Sequence, residues 1–263
     1  MTTPASSPAP APVDPVAAAT LLLLRDGAGG LEVLMTARHE DAGFAAGALV
    51  FPGGKVDPGD AQLVHLARGL AGVAPDEAAF RIAALRETFE ESGLLLLRRR
   101  GEERLLNAQE AAELAASGAD FATLASRPEF EPAADLLLPY AHWITPLDRP
   151  RRFDTRFYVA AFASDQEARH DGRENVESRW CAPATTVRDG EAARAKLVFA
   201  TRMNLLRLAQ SASVEDALAA ARAQPVVCVV PEFIKTAAGP RIRIPATAGY
   251  GGAEFEPIGI VRA

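Results

Sequence analysis

The amino-acid sequence predicts a fold of the mixed α/β (α+β) class. Apolar runs typical of strands and amphipathic segments typical of helices intermingle along the chain, without the strict strand–helix–strand order of a parallel sheet. The 263 residues are 49% hydrophobic and 24% charged, an ordinary composition for a globular protein. A chain of this length buries a substantial core, so it needs neither disulfides nor a structural metal to fold.

The chain begins with two contrasting segments. Residues 1–14 are rich in proline, alanine and serine and have almost nothing to bury, so we expect a disordered tail. Val16–Arg25 and Leu31–Arg38 are apolar runs separated by Asp26–Gly30, whose glycines supply the positive φ angles that a hairpin turn requires. These runs are therefore predicted to form a β-hairpin at the start of a single domain spanning residues 15–263.

A glycine-rich loop and a long helix follow the hairpin. Gly43–Gly54 is predicted to form a loop and a short strand, after which Lys55–Asp60 turns the chain. Pro75 suits the first turn of a helix, and Gly93 supplies a left-handed stop. The segment between them has an apolar stripe at helical spacing, formed by Ala79, Ile82, Leu85 and Phe89. We therefore predict a helix over Pro75–Ser92.

The later elements are predicted from shorter patterns. The region 101–135 differs in character, because it is rich in alanine and glutamate, and we interpret it as an insertion carrying two surface helices, Asn107–Ser117 and Asp120–Ser126. The predicted strands are Leu94–Leu97, Leu136–Ile144, Arg152–Phe162, Glu174–Ala182, Val226–Ile234 and Arg241–Ile244. The remaining predicted helices are Leu197–Ala209 and Val214–Ala223. From about residue 197 onward the chain carries no chemical motif.

Charge and cysteine content exclude several classes of function. The net charge of −6 argues against binding to nucleic acid through bulk charge. Cys181 and Cys228 stand alone, and the four histidines are scattered, so the sequence contains no zinc-binding pattern. The apolar run Val16–Leu24 is too short to span a bilayer, and no cationic segment precedes it. We expect a cytoplasmic protein that does not bind membranes.

Three carboxylates gather at the end of the predicted helix. Glu87, Glu90 and Glu91 are spaced i, i+3, i+4 and lie on one side of it, near the negative end of the helix dipole. The arrangement is unfavourable unless a cation sits between them, and carboxylate oxygens suit hard ions such as Mg²⁺ or Mn²⁺. The alternative is a solvated acidic face. The preceding Gly53 and Gly54 favour the metal site, because glycine lets the backbone approach a metal or phosphate closely.

With these residues the chain resembles the Nudix hydrolase family. The second half of the family's box matches at Arg86, Glu87, Glu90, Glu91, Gly93 and Leu94. The first half matches at Gly54, with Asp60 in place of the usual glutamate. Twenty-five residues separate Asp60 from Arg86 where the family has seven, so the box contains an insertion near 61–75. The resemblance implies a mixed sheet sandwiched between helices, with these helical insertions.

A second motif resembles the coenzyme A diphosphatases of that family. Leu34–Arg38 is followed at the family's spacing by Gly47 and Phe51–Gly54. His39 and Gly43 depart from the motif, the latter standing where an arginine is usual. The split box, the 101–135 insertion and the segment Pro150–Phe157 resemble the peroxisomal enzymes of this branch and their bacterial relatives. We therefore expect a bacterial protein, which ends in Val261-Arg262-Ala263 rather than a peroxisomal tripeptide.

The resemblance implies a metal-dependent diphosphatase. Its Mg²⁺ or Mn²⁺ would be held by Gly54, Glu87, Glu90 and Glu91, while Arg86 orients a glutamate through an ion pair. Coenzyme A or acyl-coenzyme A would be cleaved to 3′,5′-ADP and (acyl)phosphopantetheine. Glu177, three residues before Trp180, fits the position of a further metal ligand or catalytic base, and Glu174 is a second candidate.

Three cationic residues are candidates for contacts with the substrate: Arg38, Lys55 and Arg152. On a strand, Arg152 shares a face with Asp154 and Arg156, so one arginine either grips phosphates or belongs to a cross-strand ion network. Two alternative functions stay open: hydrolysis of ADP-ribose, NADH or dinucleoside polyphosphates, and nucleotide sensing without cleavage. Family members are often dimers, so a homodimer is a further expectation, and the expected partner is otherwise a small nucleotide-type substrate.

Overall fold

The computed structural model describes residues 13–39, 45–170 and 175–257. Its strands are β1 (Val16–Gly27), β2 (Gly30–Arg38), β3 (Leu49–Val50), β4 (Gly53–Lys55), β5 (Leu97–Arg99), β6 (Phe130–Pro132), β7 (Leu138–Ile144), β8 (Phe153–Ala161), β9 (Asn175–Cys181), β10 (Cys228–Val229), β11 (Glu232–Thr236), β12 (Gly239–Arg243) and β13 (Glu254–Phe255). Its helices are α1 (Pro58–Leu63), α2 (Pro75–Ser92), α3 (Ala108–Ala115), α4 (Phe121–Ala125), α5 (Pro183–Glu191), α6 (Phe199–Leu208) and α7 (Val214–Ala223).

A mixed sheet of eight strands forms the centre of the described part of the chain, in the order β10-β7-β8-β1-β2-β3 with β4 and β9 added. β1 runs parallel to β8 and antiparallel to β2, which confirms the predicted hairpin. The two hairpin strands diverge away from their turn. Short strands fill the resulting wedge: β4 pairs with Ala18–Thr20 of β1, and β3 pairs with Thr36 and Ala37 of β2.

Helical layers cover both faces of this sheet, as predicted. Successive side chains of β1 point to opposite faces, so Leu21 and Leu23 pack towards α2, whereas Leu22 and Leu24 pack towards α6 and α7. Each face therefore has its own hydrophobic core. The α2-side core includes Ile82 and Leu85 of that helix. Because both faces of β1 are covered, this strand is an almost continuous apolar run rather than an alternating one.

Helix α2 has the bounds that its sequence predicts. Pro75 occupies its first turn with Asp76 and Glu77, and Gly93 ends it in the left-handed conformation at φ 70°. The amide of Gly93 donates to the carbonyl of Phe89, which satisfies one of the last-turn carbonyls. The carboxylates that follow Arg86 thus lie in the final turns of a helix with a defined end.

The region 101–135 is built into the α2-side core. α4 was expected on the surface, but Phe121, Leu124 and Ala125 are almost completely buried, so that expectation is wrong. β5 and β6, on either side of α3 and α4, pair antiparallel and close the region on itself. The surface helices were predicted from the alanine and glutamate content of the region. Such a composition does not reveal that three of the five residues of α4 are buried.

Several later elements differ from the sequence prediction, among them the following. Leu94–Leu96 is buried but lies outside a strand, and β5 begins only at Leu97. The predicted strand Val226–Ile234 is two strands: β10 at the edge of the main sheet and β11 in a separate sheet with β12 and β13. Pro231 lies between β10 and β11, and proline cannot donate to a strand ladder. α5 was not predicted.

Residues 1–12 of the predicted disordered tail lie outside the described part of the chain. Gly43, which departs from the second motif, also lies outside it. Among the helices described, none combines the length and the apolar character needed to cross a bilayer.

Candidate active site

Arg86 is the centre of the candidate site, where α2 meets the loop and helix that follow β4. Its guanidinium pairs with both oxygens of Asp60, through Nε at 2.8 Å and Nη2 at 3.0 Å. Nη1 donates to Glu87 and to Glu90, each at 2.9 Å, and Nη2 also donates to the carbonyl of Lys55 at 2.8 Å. One buried guanidinium therefore fixes two of the predicted carboxylates relative to the metal-loop backbone.

Asp60 is the acid that the split motif places in the first half of the box. It is buried, and besides pairing with Arg86 it accepts a 2.8 Å hydrogen bond from the amide of Asp57, which caps α1. Both carboxylate oxygens of Asp60 thus accept hydrogen bonds, from Arg86 and from the Asp57 amide. The bidentate pair between residues 26 positions apart supports the alignment that places Asp60 in the first half of the box.

Glu91 is the most buried of the three carboxylates on α2. It accepts a 3.1 Å hydrogen bond from the amide of Gly53. Burial raises the pKa of the Glu91 carboxyl to about 8, and Glu87 adds to the rise, whereas the side chain of Asn175 on β9, the Gly53 amide and the charge of Arg38 oppose it. Ionising the Glu91 carboxyl is therefore energetically costly in the folded chain.

Gly54 and Glu87 approach each other closely. A Cβ atom on Gly54 would lie 2.5 Å from the carboxyl carbon of Glu87, so any larger residue would displace this carboxylate. Because Gly54 has no side chain, the Glu87 carboxylate lies directly against the β4 backbone.

The donors fit a hard divalent cation. Glu87, Glu90 and Glu91 supply carboxylate oxygens beside the Gly54 backbone, and burial raises the pKa of Glu90 as well, against the opposing charge of Arg86. Carboxylates that are costly to ionise without a cation are stabilised when one is present. In the described part of the chain these side chains do not converge as a preformed set of three, because Arg86 engages Glu87 and Glu90.

Two of the predicted substrate contacts lie near this cluster. Arg38 ends β2 opposite Asn175 of β9, and its charge lowers the pKa of Glu91. The buried Nε of Arg38 has no hydrogen-bond acceptor among the described residues. Lys55 holds Arg86 through its carbonyl, and its side chain is exposed.

The structure does not bring Glu177 to the carboxylates. Glu177 pairs in register with Ala37, whose side chain belongs to the face that packs on α5 and α6. Its half-exposed carboxylate accepts from Arg179 at 3.4 Å. The other candidate for this role, Glu174, lies outside the described residues.

Arg152 also lies away from the cluster and has structural partners. It is buried, and its guanidinium donates to the carbonyls of Thr145 and Val13, which ties the start of the chain to the β7–β8 connection. Arg156 pairs with Glu77 on α2, and Asp154 pairs with His142 across the strands. Within this segment Arg156 and Asp154 thus have ion-pair partners, whereas the recorded partners of Arg152 are backbone carbonyls.

Asn175 is the site residue that the sequence did not indicate. An asparagine carries no motif signal, and its position opposite Arg38 depends on an irregularity in the pairing of β9 with β2. Nothing in the sequence around it distinguishes it from an asparagine in a surface loop.

Comparison with known proteins places this geometry in a family. Residues 63–200, just over half of the chain, match the family model of the NUDT19 Nudix domain. A putative nudix hydrolase 7 from Caenorhabditis elegans is 33% identical over 178 residues, covering 68% of this chain and 56% of that protein. An acyl-coenzyme A diphosphatase NUDT19 from Gallus gallus is 29% identical over 237 residues, covering 70% of this chain and 63% of that protein.

Solved structures agree with this match. The crystal structure of a NUDIX hydrolase from Alicyclobacillus acidocaldarius superposes with a TM-score of 0.68 at 31% identity, covering 78% of this chain and 96% of that one. The chain spans between half and two thirds of the length of the curated relatives that it matches. The split box, the Arg86 centre and these matches together show that the chain belongs to the Nudix hydrolase family.

Proposed function

We propose that the chain catalyses divalent-metal-dependent hydrolysis of a nucleoside diphosphate linked to another group, with coenzyme A or acyl-coenzyme A as the substrate. The products would be 3′,5′-ADP and (acyl)phosphopantetheine. One observation carries the proposal: Arg86 joins Asp60, Glu87 and Glu90 beside the Gly53–Lys55 backbone. The names of the NUDT19 relatives, together with the motif around Arg38, support the choice of substrate.

The residues that would hold Mg²⁺ or Mn²⁺ are Glu87, Glu90, Glu91 and the carbonyl of Gly54. When bound, such an ion neutralises phosphate charge and lowers the pKa of a water molecule. Arg86 orients Glu87 and Glu90 and keeps its charge at any working pH. Its role is to position the carboxylates, because all its nitrogens are engaged by protein oxygens.

Arg38 is the cation that we assign to the substrate, because its charge acts on Glu91 and its buried Nε has no acceptor among the described residues. A guanidinium placed there binds a phosphate oxygen of the diphosphate through charge-assisted hydrogen bonds. We assign the proton-accepting role to one of the α2 carboxylates and not to Glu177, whose side chain lies on the other face of the sheet. Glu90, with 43% of its side chain exposed, is accessible to the attacking water.

The test is a hydrolysis panel with the products separated by chromatography. Coenzyme A, an acyl-coenzyme A, ADP-ribose, NADH and a diadenosine polyphosphate would each be incubated with Mg²⁺ or Mn²⁺, and with EDTA. We expect 3′,5′-ADP from the coenzyme A substrates, no product in EDTA, and a loss of roughly 100-fold or more in kcat for Glu90→Gln. Glu215→Gln, an exposed acid in the first turn of α7, is the control that retains activity.

Each other outcome assigns a different function. Turnover of ADP-ribose, NADH or the dinucleotide alone retains the metal mechanism and rejects the coenzyme A substrate. Full activity of Glu90→Gln rejects the site. Nucleotide binding without any turnover identifies the chain as a sensor.

A further inference from the structure

Two hydroxyl side chains lie opposite each other on β2 and β9. Thr36 of β2 pairs directly with Ser178 of β9, and side chains paired in this way lie about 5 Å apart on one face of the sheet. Thr36 is completely buried, and the hydroxyl oxygens of both residues are buried with no hydrogen-bond partner among the described residues. Since buried polar atoms are nearly always hydrogen-bonded, these two point to a partner that is not part of the described chain.

Both hydroxyls lie on the face of the sheet that α2 covers. Leu34 and Trp180 form the same-face pair two residues away, and both pack in the α2-side core. Met35, between Leu34 and Thr36, belongs to the core on the opposite face. Strand alternation therefore directs Thr36 and Ser178 towards the side of the sheet that carries the candidate site.

Arg38 is the next residue of β2 on this face. A bulge in β9 shifts the pairing of the two strands between Ala37 and Arg38. The Nε of Arg38 is buried and, like the two hydroxyls, has no hydrogen-bond partner in the part of the chain that the structure describes. Two hydroxyls and one guanidinium nitrogen thus occupy neighbouring positions on one face of the sheet.

This group lies close to the loop that contacts the α2 carboxylates. On its other side Thr36 pairs with Val50 of β3, and Gly53 follows Val50 by three residues. A segment of this length spans at most about 10 Å. Because the Gly53 amide donates to Glu91, the hydroxyl pair adjoins the carboxylates to which we assign the ion.

The chemistry of the three groups fits an anion. A guanidinium nitrogen can only donate, and a hydroxyl can turn its hydrogen towards an acceptor. Phosphate oxygens accept charge-assisted hydrogen bonds from both kinds of group. The positive charge of Arg38 disfavours a cation at the same place.

We propose that the hydroxyls of Thr36 and Ser178, together with Arg38, form a subsite that binds a phosphate group of the substrate. This inference deepens the proposed function and rests on it, since it assumes that the substrate is a diphosphate. Arg38 supplies the charge, and the two hydroxyls supply further donors that orient the phosphate. Thr36 lies within the second sequence motif, whereas Ser178 belongs to neither motif.

The experiment measures the Kd for methylenediphosphonate, a diphosphate analogue with a bridge that cannot be hydrolysed, by titration calorimetry in Mg²⁺. Thr36→Val and Ser178→Ala each remove one hydroxyl with little change of shape. We expect each variant to raise the Kd by about 10-fold, the effect of losing one hydrogen bond to a charged group. The control is Thr186→Val, at a buried threonine of α5 whose hydroxyl donates to the carbonyl of Ala182, which we expect to leave the Kd within twofold.

Thermal unfolding of the ligand-free variants separates substrate binding from a structural role. If the hydroxyls serve the substrate, removing either one changes the Tm of the ligand-free protein by less than about 2 °C. A larger fall in Tm in both variants assigns the hydroxyls to a structural role, such as holding an ordered water molecule, and overturns the inference. An unchanged Kd in both variants overturns it as well.

The proposed function is judged separately, from the hydrolysis panel. Turnover by the wild-type chain, combined with an unchanged Kd in both variants, overturns this inference alone. Absence of turnover with every substrate of the panel rejects the proposed function, and this inference with it.

Discussion

At the scale of single residues, the site combines groups that the sequence indicated with one that it did not. Glu87, Glu90 and Glu91 were predicted from helical spacing, and Arg86 from the motif. That Glu87 and Glu90 share the Arg86 guanidinium with Asp60 could not be predicted, because it depends on a loop that brings Asp60 back across 26 residues. Asn175 could not be predicted at all, because a bulge rather than a pattern determines its direction.

Glu91 gives a prediction about the stability of the metal-free protein. Its pKa rises from an ordinary value near 4.5 to about 8 on folding, chiefly through burial. Between these values the folded chain holds a proton that the unfolded chain has lost, so the contribution of Glu91 to stability is most favourable below pH 4.5 and falls as the pH rises towards 8. Each unit of pKa difference corresponds to about 1.4 kcal/mol.

Glu91→Gln removes this dependence, because the amide is neutral at every pH. In EDTA we expect the Tm of this variant to exceed that of the wild type by several degrees at pH 8 and by much less at pH 5. Scanning calorimetry at both pH values gives the two differences. A Tm difference that is the same at both pH values would show that the Glu91 carboxyl ionises normally in the folded chain.

At the scale of elements, α2 is fixed at both ends, and this fixes the site it carries. Its bounds were predicted correctly, because a proline, two acids and a terminal glycine are local signals. The attachment of α2 to β8 was not predicted, because it depends on the tertiary contacts of Glu77. Glu77 accepts from the hydroxyl of Tyr158 at 2.9 Å and from Arg156 at 2.5 Å. The bulge in β9 and the break in Val226–Ile234 are equally invisible to periodicity.

Removing Glu77 tests how much this attachment contributes. Glu77→Ala leaves the hydroxyl of the buried Tyr158 without its acceptor and removes the closer of the two carboxylates that pair with Arg156, so we expect a loss of about 1–3 kcal/mol in the free energy of unfolding. Glu215→Ala, in the first turn of α7, removes an equivalent interaction with the helix dipole at an exposed position. Urea unfolding of both variants separates the side-chain contacts of Glu77, which include an ion pair with Arg81, from the dipole interaction, and equal losses would assign the whole effect to the dipole.

At the scale of the whole molecule, two cores lie on opposite faces of one sheet, and the additions to the family's box belong to them. The mixed fold class was predictable from the intermingled strands and helices. The place of residues 101–135 was not, because their composition suggested surface helices. Phe121 is completely buried in the same core as Leu21 and Leu85, and its ring centroid lies 6.4 Å from that of Phe89 on α2.

Phe121→Ala decides whether the 101–135 region is part of the folding unit or an independent addition. A completely buried phenylalanine that is truncated to alanine leaves a cavity, and we expect a loss of about 3–5 kcal/mol in one cooperative unfolding transition. Ser126→Ala, at the exposed end of the same helix, should change stability by less than about 0.5 kcal/mol. If the region folded independently, Phe121→Ala would instead produce a separate early transition and leave the main one unmoved. A single shifted transition would mean that the helix bearing Glu87, Glu90 and Glu91 depends on this region for its support, since Phe89 packs against Phe121 from within that helix.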